Sequence, residues 1–376
     1  MTKKNEEERF KKETMRQEFD LKQIEKPLLS WFAGHARVLP WREEPTPYRV
    51  WVSEIMLQQT RVEAVKPYFE RFTKELPDVA ALAACSEERL LKLWEGLGYY
   101  NRVRNMQTAA RTVMEEYDGR LPADYEKLLT LKGIGSYTAG AVASIAYGIP
   151  VPAVDGNVLR VIMRVTADDS DIMKQSVKSR VEKELLAVIP KDAAGAFNQA
   201  LMELGATVCL PNGEPHCAQC PWESFCEARK QGIWQTLPVK SRAKPRRIEE
   251  KTVLIIRDGE RIVLHKRGAK GLLAGLYEFP NLAGHLSEEE VLAYVREQDL
   301  VPVHIEKLED AKHIFSHIEW HMTGYMVRVS ELETEQSGLL FVEVEDSEKR
   351  YPIPAAFAAY TKYMNLRLGN DRFSAD

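Results

Sequence analysis

Two regimes of hydrophobic patterning divide the chain. Up to about residue 230, apolar residues recur at helical spacing in Val52–Phe69, Glu87–Trp94, Arg102–Tyr117 and Gln175–Val188. Short Gly and Pro connections separate these runs, including Gly96-Leu97-Gly98, Gly133-Ile134-Gly135 and Gly148–Pro152. The pattern predicts an all-α region over residues 22–230. After Leu237-Pro238 the period falls to two. Thr252–Ile256 and Arg261–His265 flank Asp258-Gly259, a hairpin signal. Ser287 and Glu290 are spaced as a capping box ahead of a helix at Val291–Gln298. Leu339–Val344 predicts a further strand, and Pro354 is placed to open a final helix at its first position. Residues 250–366 are therefore expected to form a separate α+β domain behind a basic linker at 231–249, with charged tails at 1–21 and 367–376.

Composition adds limits. The 376 residues are 44% hydrophobic and 29% charged, an ordinary globular balance with room for two or three domains. No apolar run reaches the ~18–20 residues that span a bilayer, and the charged N-terminus lacks the apolar core of a signal peptide. A cytoplasmic monomer is the expectation. The net charge of −4 argues only weakly against a nucleic-acid binder, because phosphate contact depends on local surface and backbone amides. Ala228–Ile248 nonetheless holds seven Lys or Arg and no acid, which suits either a solvated linker or phosphate contact.

Four of the five cysteines crowd into one segment with the spacing Cys209-x7-Cys217-x2-Cys220-x5-Cys226, while Cys85 stands apart. Four thiolates on a compact loop can hold a tetrahedral zinc ion or a [4Fe-4S] cluster, and spacing alone leaves both open. Gly133 and Gly135 allow a sharp turn before a helix of small residues, exposing amides that bind phosphate without side-chain charge. Packing between two helices would also explain them. Asp155, in Val151–Val161, can cap a helix that follows it. A carboxylate there is kept ionised by amides and the helix dipole. Glu54 shares a helix face with Gln58 and lies among apolar neighbours, which would raise its pKa. By itself it reads more readily as an exposed helix residue.

The helix Ala196–Cys209 with its cysteine cluster resembles the C-terminal part of the endonuclease-III-type DNA glycosylases, whose pattern is C-x6-C-x2-C-x5-C and carries [4Fe-4S]; here the first interval is one residue longer. LKGIGSYTAG followed by VPAVDGNV resembles the helix-hairpin-helix–Gly/Pro–Asp signature of that superfamily. PWR…PYRVWVSEIMLQQTRV resembles the MutY-type adenine glycosylases specifically. The fold this implies is a six-helix barrel with a cluster-bearing helical subdomain. GLYEFP at 275–280 is similar to the approach to a Nudix box, but the following helix lacks the carboxylates that bind metal, so pyrophosphatase activity is not expected.

The resemblance implies roles residue by residue. Glu54 falls on the catalytic acid and Asp155 on the catalytic aspartate, with Asn157 and Tyr137 as supports. Arg42 would contact a flipped adenine. Leu57, Gln58, Gln59 and Tyr99 would line the pocket or wedge the opened stack. Phe315, Ser316 and His317 match the loop that reads 8-oxoguanine in the opposing strand. Tyr137 stands where strand-cutting relatives carry a Schiff-base lysine, so no imine can form there. The implied reaction is hydrolytic removal of adenine from A:8-oxoG or A:G mispairs in double-stranded DNA, with the protein nucleoid-associated while on DNA. Two rivals are an endonuclease-III-like pyrimidine-lesion glycosylase and a non-catalytic lesion or redox binding protein.

Overall fold

The computed structural model describes residues 19–241, 245–259, 261–332, 338–369 and 371. Most of the two charged tails lies outside these residues, as do Arg242 and Lys244 of the basic linker. Backbone contacts gather the described residues into two units. One comprises the chain up to Phe69, Asp78–Ala83, and Asn105 onward to the linker. The other comprises Glu70–Pro77, Ala84–Arg104 and the residues after the linker. Among the described residues no helix is long and apolar enough to cross a membrane.

The first unit is helical. Thr46 accepts from the Arg49 amide and Pro47 occupies the first turn, so helix α1 (Pro47–Leu57) starts on a standard cap. The apolar periodicity read as continuous from Val52 to Phe69 is broken in the structure. Helix α1 ends at Leu57 and helix α2 begins at Val62, running to Glu75. Gln59 between them is left-handed, with φ of 61°. No Gly or Pro marks this break in the sequence, which is why periodicity ran through it.

A short helix, Tyr125–Thr130, leads into the Gly133–Gly135 turn and helix α3 (Ser136–Ala141), which widens into a π turn at Val142–Ala146. Gly133 has φ of 80°, and a Cβ there would lie 2.7 Å from Asn105 Cβ. Only glycine satisfies both conditions. Helix α4 (Gly156–Val165) is capped by Asp155, whose side chain accepts from the Val158 amide. Helix α5 (Ala194–Thr207) packs beside it. Val158, Ile162, Phe197, Leu201 and Leu204 form the shared core of these helices.

Among the described residues, the second unit carries a mixed seven-stranded sheet. Strand β1 (Arg247–Asp258) runs parallel to β6 (Ile318–Val329) and antiparallel to β2 (Arg261–Lys266). Short strands β3 (Tyr277–Glu278) and β4 (Asn281–Ala283) pair with β2 and β1, and strand β5 (Pro302–Ile314) is the antiparallel partner of β6. The run Val253-Leu254-Ile255-Ile256 is buried on both faces. Val253 and Ile255 join Trp320 and Phe357, whereas Leu254 and Ile256 join Val291 and Val295. Helix α6 (Glu288–Glu297) supplies those valines and begins on the Ser287–Glu290 capping box. Leu339–Glu343 is a strand paired with β2. Pro354 caps a single 3-10 turn at Ala355–Phe357 and does not open the α-helix Ala358–Thr361 that follows. All-α and α+β regions are thus present in the expected order.

Candidate active site

A cavity of about 1000 Å³ opens in the helical unit, with Glu54, Tyr137, Asp155, Asn157, Arg42 and Met202 on its walls. Leu57, Gln58 and Gln59 line it too. Glu54 is not an exposed helix residue: it is 5% exposed. Burial pushes its carboxyl up to about 7, and the charge of Asp155 adds to this. The Tyr137 hydroxyl, which donates to Glu54, and the Arg42 charge act the other way. Tyr137 also lies 3.4 Å from Met202 Sδ, and its own pKa is raised far above the phenolic value by burial and by the two carboxylates. It remains a proton donor at any working pH.

Asp155 sits at the start of α4 as both cap and cavity group. Its Oδ1 accepts from the Val158 amide at 2.8 Å and Oδ2 from Asn157 Nδ2 at 2.7 Å. These bonds favour the ionised form, but burial outweighs them and the pKa lies above the ordinary aspartate value. The amides and dipole therefore do not set its charge alone. Behind it, Arg160 Nη2 donates to Asn157 Oδ1 at 2.9 Å and to the Gly205 carbonyl at 2.7 Å, and Nε donates to the Cys209 carbonyl at 2.8 Å.

That last bond leads to the cysteines. All four are half-buried and unpaired by disulfides. Cys220 is pushed up to about 12 by burial and by the charges of Cys209, Cys226 and Cys217, so the four sulfurs are near enough to feel one another. Arg164 Nη1 lies 3.3 Å from Cys209 Sγ. The His216 amide bonds to the Val208 carbonyl at 2.9 Å, which closes the loop holding the extra residue and leaves Cys217 beside the others. Among the described residues no three such side chains close on a single-ion site.

A model described as "HhH-GPD superfamily base excision DNA repair protein" matches residues 52–191, and one described as "NUDIX domain" matches 252–363. The chain is 37% identical over 352 residues to the adenine DNA glycosylase of Homo sapiens, covering 78% of this chain and 64% of the human protein. It is 31% identical over 303 residues to that of Buchnera aphidicola (subsp. Acyrthosiphon pisum), covering 80% of this chain and 85% of the relative. The chain belongs to the adenine DNA glycosylase family. Among solved structures, a thermostable thymine-DNA glycosylase has a TM-score of 0.50 at 25% identity, covering 58% of this chain and 98% of that one.

Sequence reading missed part of this glycosylase cavity. Glu203, on α5, is 1% exposed, and Arg37 and Arg42 pair with it at 2.6 and 2.9 Å. Burial raises its pKa, but the two guanidiniums outweigh that and hold it below the ordinary range. Arg42 is thus placed at the cavity by a buried carboxylate. Met202 and Arg160 also carried no local signal.

The remaining expected residues belong to the second unit. Tyr99 has φ of 47° and is 49% exposed, and its hydroxyl lies 3.1 Å from Ser316 Oγ. Phe315, Ser316 and His317 form the turn between β5 and β6, closed by the Phe315 amide on the Ile318 carbonyl at 2.8 Å. Phe315 packs edge-on against His313 and Trp320, leaving Ser316 and His317 exposed. In the basic stretch, Arg229, Lys230 and Arg247 each pair with a nearby glutamate, which matches a solvated segment.

Proposed function

We propose that this chain hydrolyses the N-glycosidic bond of adenine mispaired with 8-oxoguanine or guanine in duplex DNA. The observation that carries the reading is Glu54, a buried glutamate held near neutrality beside a second carboxylate in one cavity. An acid with that pKa is protonated often enough to serve and yet surrenders its proton readily. Neutral Glu54 donates to adenine N7, which makes the base a leaving group. The bond to C1′ then breaks toward an oxocarbenium-like sugar, and the Asp155 carboxylate faces the developing positive charge. Ionised Glu54 next takes a proton from the water that adds to C1′, so it ends the cycle protonated. Tyr137 stays protonated throughout and holds the Glu54 carboxyl in place. Because no amine occupies position 137, base release is not followed by strand cleavage along this route.

Arg42 supplies donors for the adenine edge, and Glu203, whose two oxygens accept from Arg37 and Arg42, holds it there. Extruding the base costs a few kcal/mol, less at a mispair. Tyr99 would wedge the opened stack, while Ser316 and His317 would read the opposing base. The amides around Gly133 and Gly135 would hold a backbone phosphate. Cys209, Cys217, Cys220 and Cys226 fit a [4Fe-4S] cluster, as four convergent half-buried thiols with arginine donors around them. The cluster would brace this subdomain for DNA binding and leave hydrolysis to the carboxylates.

The test is a single-turnover assay on A:8-oxoG, A:G and A:T duplexes, with and without alkali. The reading expects alkali-labile sites with the first two and no nicks before alkali. Strand cleavage trapped by borohydride on damaged pyrimidines, with adenine untouched, would replace it by the pyrimidine-glycosylase reading.

A further inference from the structure

Tyr99 stands on an unusual turn. Gly96, Gly98 and Tyr99 have φ of 97°, 70° and 47°. The last of these is a conformation that an L-residue adopts only when its surroundings impose it. Trp94 Nε1 donates to the Gly98 carbonyl at 3.1 Å. Arg102 Nη2 donates to the Leu97 carbonyl at 3.0 Å and the Gly98 carbonyl at 3.2 Å. The same guanidinium lies 5.3 Å from the Trp94 ring centre and 5.6 Å from that of Tyr99.

The other end of the turn is fixed as firmly. Glu95 is fully buried and accepts from the Ile353 amide at 2.8 Å, from the Gly369 amide at 3.1 Å and from Lys92 Nζ at 2.9 Å. Lys92 also donates to the Tyr351 carbonyl at 2.8 Å. The turn is thereby bound to the same unit that presents Ser316, 217 residues further along, beside the Tyr99 hydroxyl.

We infer that Arg102 is a positioning residue, which locks the Tyr99 ring in its left-handed turn so that Tyr99 and Ser316 act on a mispair as one rigid element. This rests on the adenine-excision reading above. A planar guanidinium can bond two carbonyls while stacking on two rings; an ammonium cannot do all of this at once. A wedge that enters a base stack works through pre-organisation, because each ångström of play is lost at the reacting bond.

The test is a double-mutant cycle in single-turnover excision on an A:8-oxoG duplex. Tyr99→Ala and Arg102→Ala are each expected to slow excision on the order of tenfold or more. The double variant should be no slower than Tyr99→Ala alone, because Arg102 acts through that ring. Multiplying losses would overturn the inference. The Arg102→Ala loss should also shrink opposite an abasic-site analogue, which offers no base to read; an equal loss on both duplexes would mark Arg102 as merely structural. Arg102→Lys should recover little, and full recovery would contradict a role for the planar fork. If Arg102→Ala does not fold, as judged by circular dichroism, Arg102→Lys takes its place in the cycle. Absence of excision by the unaltered protein would sink the functional reading itself, whereas excision with multiplicative losses would sink only this inference.

Discussion

Replacing Tyr137 by phenylalanine removes one hydroxyl from the cavity and should move the pH dependence of excision upward. In the native protein that hydroxyl donates to Glu54 and favours its ionised form. Loss of the bond leaves burial and the Asp155 charge less opposed, so the carboxyl holds its proton to higher pH. A hydrogen bond to a buried charged group contributes about 1.5–3 kcal/mol, equivalent to roughly one to two pH units. The native carboxyl lies at about 7. Excision needs the protonated acid, so the native rate falls as pH rises through that value. In Tyr137→Phe the fall should begin about one to two pH units higher, whatever happens to the plateau. The assay is single-turnover release of adenine from an A:8-oxoG duplex between about pH 5.5 and 9.5. A limb that stays in place, or moves to lower pH, would refute the assignment of Glu54 as the acid that Tyr137 tunes.

Glu54 should also cost stability. Its folded pKa lies near 7 against an ordinary 4.5, so the folded state favours the protonated form, and stability present below about pH 4.5 is lost as pH rises through 7. Glu54→Gln cannot ionise and should be more stable than the native protein at pH 8 by up to about 3 kcal/mol, with the gap closing toward pH 4, in denaturant titrations at both pH values. Gly140 packs against the chain leading to Asp155, and a Cβ there would lie 2.1 Å from the Pro152 carbonyl oxygen. Gly140→Ala should therefore cost about 1–3 kcal/mol or more in stability and slow excision as Asp155 shifts, read by thermal melting and by rate. Cys220→Ser should reduce bound iron well below four atoms per chain and weaken DNA binding, measured by metal analysis and anisotropy titration; full iron content would contradict the four-thiolate assignment.

How far the sequence spoke depended on whether a feature was local. The Gly133–Gly135 turn and the Asp155 cap lie within short windows, so residue type and spacing were enough to read them; the spacing of Cys209 to Cys226 pointed to a metal site but left zinc and [4Fe-4S] open. The Asp258-Gly259 hairpin and the Ser287–Glu290 box were legible for the same reason. Glu203 was not. It stands in an ordinary-looking helix, and its meaning comes from Arg37, 166 residues away, and Arg42, 161 away. The break at Gln58–Arg61 escaped because a left-handed glutamine has no sequence mark. Strand β5 was not legible, since most of it is exposed and its charged face hides any apolar alternation. Tyr99 and Ser316 were each picked out by resemblance, but nothing in either segment indicated that their hydroxyls meet.

The central claim is that two carboxylates of one cavity, buried Glu54 and half-buried Asp155, carry adenine excision. Single-turnover rates on an A:8-oxoG duplex, measured beside equilibrium binding for Glu54→Gln and Asp155→Asn, test it most directly. The account predicts loss of base release in both variants with affinity for the duplex largely retained. Native-like excision by either variant would contradict it.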